Sequence, residues 1–66
     1  MKVGERIRDA RKEIKLTQAQ LAEKIGVSRV CIMTIENSDD PNMTVKTAKA
    51  LSRVLGKSLD FLLCNE

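Results

Sequence analysis

The sequence predicts an all-α fold of five helices in a single domain. Residue types that favour strands are scarce, since the chain has one Phe and no Trp or Tyr among its 66 residues. Three positions place a Ser or Thr N-cap directly before an apolar pattern of helical period: Thr17, Ser28 and Thr44. Gly26 and Gly56 follow two of these patterns, where helices commonly end in a left-handed residue.

Helix 1 is predicted from about Val3 to Lys15. Val3, Ile7, Ala10 and Ile14 recur at spacings of four, three and four, which aligns them in one stripe along a helix. We expect this apolar stripe to face the core.

Helix 2 is predicted to begin at Thr17 and to end at Gly26. Gln20 stands three residues after Thr17, so the two side chains can form a capping box with the backbone. Leu16 can pack on Leu21 across this cap as a hydrophobic staple. The residues expected to face inward are Leu21, Ala22 and Ile25.

Helix 3 is predicted from about residue 28 to residue 37, with Ser28 as its N-cap. Val27 and Ile32 are placed as a second staple, and Ile32 and Ile35 are the expected inward pair. Only about three residues separate helices 2 and 3, so the two must cross at a steep angle. That crossing is the geometry of a helix-turn-helix motif, which places its second helix in the major groove of DNA.

A loop at residues 38–42 precedes the last two predicted helices. Helix 4 begins after Thr44 and ends at Gly56, and helix 5 runs from Leu59 to Leu63 after Ser58 as its N-cap. The residues of helix 4 expected to face inward are Val45, Ala48, Leu51, Val54 and Leu55.

Charge and composition favour a polyanionic partner and give little support to an enzyme. Residues 1–37 hold eight Lys or Arg and five acids, a net charge of +3, whereas residues 38–66 hold four of each. There is no His, and Cys31 and Cys64 fit no zinc or redox spacing, so we expect no catalysis, metal or cofactor. No apolar stretch suits a signal peptide or a membrane span, and the expected compartment is the cytoplasm.

A set of short motifs across residues 1–66 carries a family resemblance. The chain resembles the phage repressor and Cro (Xre-type) helix-turn-helix family. The resemblance implies a compact, lambda-repressor-like domain that binds double-stranded DNA and regulates transcription, as a homodimer on a short, near-palindromic operator. It implies no small-molecule ligand. The motifs are Thr17-Gln18, Leu21-Ala22, Gly26-Val27-Ser28, Ile32, Ile35-Glu36-Asn37, Thr44, Thr47, Leu51, Leu55-Gly56, Ser58-Leu59-Asp60 and Leu62-Leu63.

The outward side of helix 3 is where the resemblance implies contact with base edges. The guanidinium of Arg29 suits guanine O6 and N7, and Val30 and the methyl group of Thr34 suit thymine methyl groups. An exposed Val and Met could instead form a protein interface, as in an antitoxin, which is the alternative function. The predicted base-reading residues are Ser28, Arg29, Val30, Met33 and Thr34.

Other residues are expected to contact phosphates or to support helix 3. The resemblance implies that Gln18 bonds a phosphate and braces the Arg29 side chain, and that Arg11 pairs with Glu36. Backbone N–H groups at the start of helix 2 add an anion site. The residues assigned to phosphate contact or bracing are Arg11, Thr17, Gln18 and Asn37, and further phosphate candidates are Lys2, Arg6, Lys12, Lys15 and Lys24.

Three features stand apart from the base-reading set. The loop that is often basic in the family carries Asp39 and Asp40, which we expect to repel phosphates. Cys31 is interpreted as a small, half-buried residue, with a redox role as the less favoured alternative. Helix 5 is too apolar for one buried face, which predicts a dimer interface; the less favoured alternative is that Leu59, Leu62 and Leu63 complete the core and leave Phe61 as a lone exposed ring. The predicted interface residues are Leu59, Phe61, Leu62 and Leu63.

Overall fold

The fold is all-α, as the sequence predicts. A computed structural model describes residues 3–39 and 41–63, and within these ranges there are five helices and no strand. None of these helices is long and apolar enough to cross a membrane. The helices are α1 Val3–Glu13, α2 Gln18–Ile25, α3 Arg29–Glu36, α4 Val45–Leu55 and α5 Leu59–Leu63.

The predicted helix caps are formed. Gln20 N donates to Thr17 Oγ1 at 3.1 Å while Thr17 N donates to Gln20 Oε1 at 2.9 Å, which completes the capping box of α2. Ser28 Oγ accepts from the backbone N–H of Cys31 at 3.1 Å at the start of α3. Gly26 has φ 79° and ends α2 in the left-handed conformation, so α3 begins after a short turn.

One core joins all five helices. Both α2 and α3 contribute buried residues to this core, and these residues hold the angle at which the two helices cross. Of the predicted inward residues of α2 and α3, Leu21, Ala22, Ile32 and Ile35 are buried, and Ile25 is half-buried against the same core. The buried apolar residues are Val3, Ile7, Ala10, Leu21, Ala22, Ile32, Ile35, Ala48, Leu51, Leu55 and Leu62.

Helix α1 ends earlier than the sequence predicts, and Ile14 does not extend its apolar stripe. The helix stops at Glu13 because Lys15 adopts φ 59°, and Leu16 N donates to Arg11 O at 3.3 Å to close the end. Ile14 is consequently 42% exposed, and Leu16 packs against the core instead. The prediction was wrong here because no Gly marks the left-handed position.

Val45 was also wrongly predicted to face the core. It is 70% exposed at the first position of α4. Val45 lies six residues before the buried Leu51, and at about 100° per residue this places the two about 120° apart around the helix axis.

The start of α1 packs against the end of α3. Gly4 N donates to Ser38 O at 3.1 Å, and Val3 N donates to Asp39 O at 3.3 Å. A Cβ atom on Gly4 would lie 2.5 Å from the backbone oxygens of both Glu36 and Ser38. Only glycine allows this close approach, and nothing in the sequence pattern of α1 predicts this role for Gly4.

Candidate nucleic-acid interface

Helix α3 has a buried side and an exposed side. Ile32, Ile35 and Glu36 are buried, whereas Val30 is 61% exposed and Met33 is 36% exposed. Arg29 and Thr34 are exposed as well, and the helical period places these four residues on one side of α3, with the exposed N-cap Ser28 at its start. We call this surface the reading face, and it consists of Ser28, Arg29, Val30, Met33 and Thr34.

A buried ion pair lies behind the reading face. Arg11 Nε donates to Glu36 Oε2 at 2.7 Å, and Arg11 Nη2 donates to Glu36 Oε1 at 3.1 Å. Arg11 is 8% exposed and Glu36 is 3% exposed, so the pair predicted between α1 and α3 is formed inside the protein. A bidentate contact of this kind fixes both the distance and the relative orientation of its two partners.

Of the two roles assigned to Arg11, phosphate contact or bracing, its contacts within the domain support bracing. Its remaining terminal nitrogen, Nη1, donates to Leu16 O at 2.7 Å, so all three guanidinium nitrogens are engaged inside the domain. Arg11 therefore acts as a structural residue that links α1 to α3 and to the segment before α2.

Gln18 braces Glu36, whereas the family resemblance implies that it braces Arg29. Gln18 Nε2 donates to Glu36 Oε1 at 3.1 Å, and the side chain is half-buried. This bond ties the first residue of α2 to the last residue of α3. Thr17 and Asn37, the other residues assigned to phosphate contact or bracing, are exposed at helix ends.

The predicted phosphate candidates outside the motif divide into two groups. Lys12, Lys15 and Lys24 are exposed, so their ammonium groups are accessible to an anion. Arg6 is turned toward α5, where Nη1 donates to Phe61 O at 3.3 Å and the guanidinium lies 5.3 Å from the centre of the Phe61 ring. Lys2 lies outside the described residues.

The acidic loop and the two cysteines are only partly described. Asp39 is exposed, and its carbonyl accepts from Val3 N, which places this loop beside the start of α1. Cys31 is half-buried and packs against the core, as expected of a small residue there. Asp40 and Cys64 lie outside the described residues.

The apolar end of the molecule differs from its prediction at one residue. Leu62 is 1% exposed and belongs to the core, so it cannot offer a surface to a second chain. Phe61 and Leu63 are 44% and 43% exposed, and Leu59 is half-buried. Lys57 Nζ lies 5.4 Å from the centre of the Phe61 ring, so this ring is in cation–π contact with Lys57 as well as with Arg6.

The capped pair α2 and α3, with its buried bracing and exposed reading face, defines a helix-turn-helix domain. A model of the helix-turn-helix family matches residues 7–62. The chain belongs to this family, in its Xre-type branch.

Three relatives show how widely this domain is shared. The chain is 42% identical over 66 residues to the immunity repressor protein of Bacillus phage phi105, covering 100% of the chain and 45% of the relative. It is 45% identical over 62 residues to repressor protein C2 of Salmonella phage P22, covering 92% of the chain and 28% of the relative. The regulator SinR of Bacillus subtilis is 34% identical over 61 residues, which cover 92% of the chain and 55% of the relative. The chain thus spans between about a quarter and about half of these proteins.

A solved structure agrees with the fold over the full chain. The crystal structure of the P22 c2 repressor in complex with a synthetic operator superposes with a TM-score of 0.91 at 39% identity. The match covers 100% of this chain and 98% of the other.

Proposed function

We propose that this protein is a sequence-specific DNA-binding regulator of transcription and that α3 reads the major groove. The reading face carries the proposal: four exposed side chains lie on one side of α3, with the exposed Ser28 at its N-cap, and the opposite side of the helix is buried in the core. The superposition on an operator-bound repressor supports it. The names of the phage relatives point to repression rather than activation.

The chemistry of the reading face indicates how sequence is read. Arg29 supplies the one guanidinium group of the reading face, which suits a guanine. Val30, Met33 and the methyl group of Thr34 suit thymine methyl groups. The backbone N–H groups at the start of α2 and the exposed Thr17 hydroxyl suit a phosphate. Since α2 and α3 are joined through Gln18 and Glu36, a phosphate held at α2 positions the reading face as well.

We further propose that the protein acts as a homodimer in the cytoplasm, without a cofactor. The exposed Phe61 and Leu63 at the α5 end offer an apolar surface that a second copy would cover. A two-fold dimer would set two reading faces about 34 Å apart, one turn of DNA, and would match a near-palindromic operator. An interaction module such as an antitoxin is the competing function, because Val30 and Met33 give the reading face an apolar part.

Selection of bound fragments from random duplex DNA, run at two salt concentrations, tests the proposal. We expect an enriched, near-palindromic sequence and weaker binding at the higher salt. The logarithm of the binding constant should fall with the logarithm of the salt concentration, with a slope of about 0.9 per neutralised phosphate. A comparison variant is Lys24→Ala, which removes an exposed phosphate candidate outside the reading face. It should leave the enriched sequence unchanged. If no sequence is enriched at either salt concentration, the interaction module is the better explanation.

A further inference from the structure

A second charged surface lies apart from the reading face, between α2 and α4. It is an open groove of about 370 Å³, and four of its six lining residues are cations. No residue of α3 lines it, and no acidic residue does. We call it the basic groove, and its lining residues are Lys24, Ile25, Lys46, Lys49, Ala50 and Arg53.

The charges of the basic groove form an ordered row. Lys46, Lys49 and Arg53 follow one another at spacings of three and four on α4, so they share one side of that helix, and Lys24 stands across the groove on α2. All four are exposed. Among the residues that the structure describes, ion pairs are formed by Arg11 with Glu36 and by Lys57 with Glu13, and none includes a groove cation. Four unpaired like charges repel one another, and an anionic partner would relieve that repulsion.

The bottom of the basic groove is apolar, and this feature distinguishes between anionic partners. Ile25 and Ala50 are half-buried between the cations. A nucleic-acid backbone presents phosphates and sugars but no long apolar side chain that could enter the groove, whereas an acidic peptide can insert such a side chain while its carboxylates contact the lysines. The exposed rim of cations also favours a segment of a macromolecule, because small-molecule sites enclose most of the ligand surface.

We propose that the basic groove is a docking site for an acidic segment of a partner protein that carries at least one large apolar side chain. Charge complementarity supplies the attraction and the orientation, and contact with Ile25 and Ala50 supplies apolar burial. The basic groove and the reading face share no residue, so variants can change one surface without altering the other.

The test is a titration of the isotopically labelled chain with a short synthetic peptide of Glu, Asp and Leu, followed by amide chemical shifts. We expect shifts at the groove residues and none on the outward side of α3. A control peptide with Gln and Asn in place of the acids should give no shifts at equal concentration. A second control peptide with Ser in place of Leu should bind more weakly, because it leaves the apolar bottom of the groove uncovered.

Charge reversal locates the site. Lys46→Glu with Lys49→Glu should weaken peptide binding about tenfold or more, since two attractive contacts become repulsive. Lys and Glu have similar helix propensities, so the fold should persist, which amide shifts far from α4 will verify. Lys12→Glu with Lys15→Glu makes the same change of charge on exposed residues elsewhere and should leave peptide affinity within about twofold. Equal loss in the two double variants, or shifts centred on α3, would overturn the proposal.

Duplex DNA is the other anionic partner that the basic groove could bind, and the same variants distinguish it from an acidic peptide. Binding of a random-sequence duplex at low salt should fall less in the Lys46→Glu, Lys49→Glu variant than in the Lys12→Glu, Lys15→Glu variant, because Lys12 and Lys15 are phosphate candidates and Lys46 and Lys49 are not. A larger loss of DNA binding together with unchanged peptide binding would assign the basic groove to phosphates and refute the acidic partner. This outcome does not depend on whether the reading face recognises a specific sequence.

Discussion

Arg11 and Glu36 are 25 residues apart in the sequence, yet the guanidinium of one contacts both carboxylate oxygens of the other inside the protein. Arg11 belongs to α1, which is not part of the helix-turn-helix, and Glu36 is the last residue of α3. The orientation of the reading face is therefore set partly from outside the motif that carries it.

This buried pair should contribute strongly to stability. Glu36→Ala should lower the free energy of unfolding by about 3 kcal/mol or more, because it leaves the Arg11 charge buried without its partner and also removes the acceptor of Gln18. Thermal melting measures the change. Glu23→Ala, on the exposed side of α2, is the control and should have little effect. Equal melting temperatures for the two variants would contradict the prediction.

The close packing at Gly4 leads to a second prediction. Gly4→Ala should cost about 1 to 3 kcal/mol of stability, since its Cβ would press on the backbone oxygens of Glu36 and Ser38, which cannot rotate away. Chemical denaturation will quantify the loss. Glu5→Ala, at the neighbouring exposed position of α1, is the matched control. A Gly4→Ala variant as stable as this control would mean that α1 can shift without penalty.

Arg29 is expected to carry much of the sequence discrimination. Arg29→Ala should reduce the preference for the selected DNA sequence over a random duplex by about 1 to 3 kcal/mol, because the bidentate contact to a guanine is lost. Fluorescence anisotropy with both duplexes gives the ratio. If affinity for the two duplexes falls equally, Arg29 contacts a phosphate and reads no base.

The acidic loop should weaken DNA binding. Asp39→Asn with Asp40→Asn removes two negative charges and should tighten binding about twofold to tenfold at low salt, with a smaller gain at high salt. The control is Asp9→Asn, an exposed change on α1. Unchanged affinity at low salt would place the loop away from the DNA backbone.

The α5 end is predicted to hold the dimer together. Phe61→Glu should yield monomers in analytical ultracentrifugation, because it introduces a charge into the apolar contact. Val45→Glu puts the same charge on another exposed apolar residue, 70% exposed on α4, and should leave the dimer intact. A Phe61→Glu variant that still sediments as a dimer would rule out this interface.

The sequence predicted those features that depend on local chemistry. The caps at Thr17 and Ser28 and the left-handed Gly26 follow from rules that act within a few residues, and they are formed as expected. The early end of α1 was missed because Lys15 adopts a conformation usually left to Gly. Val45 was misassigned because apolar character alone does not say which side of a helix a residue occupies.

Features that depend on contacts between distant parts of the chain were harder to predict from the sequence. The pairing of Arg11 with Glu36 could be expected only from the family resemblance, whereas the use of Gln18 as a brace for Glu36 required the packed structure. The basic groove was not predicted from the sequence for a related reason. Counting charges by halves of the chain gave residues 38–66 a net charge of zero, although the fold gathers Lys46, Lys49 and Arg53 on one side of α4.

The division of α3 into two sides has an evolutionary consequence. Ile32, Ile35 and Glu36 keep the helix in place, and they are distinct from the residues that face outward. Substitutions at Arg29, Val30, Met33 or Thr34 can therefore accumulate with little effect on folding. A lineage carrying this domain could acquire a new target sequence in single steps, each of which leaves a folded protein exposed to selection.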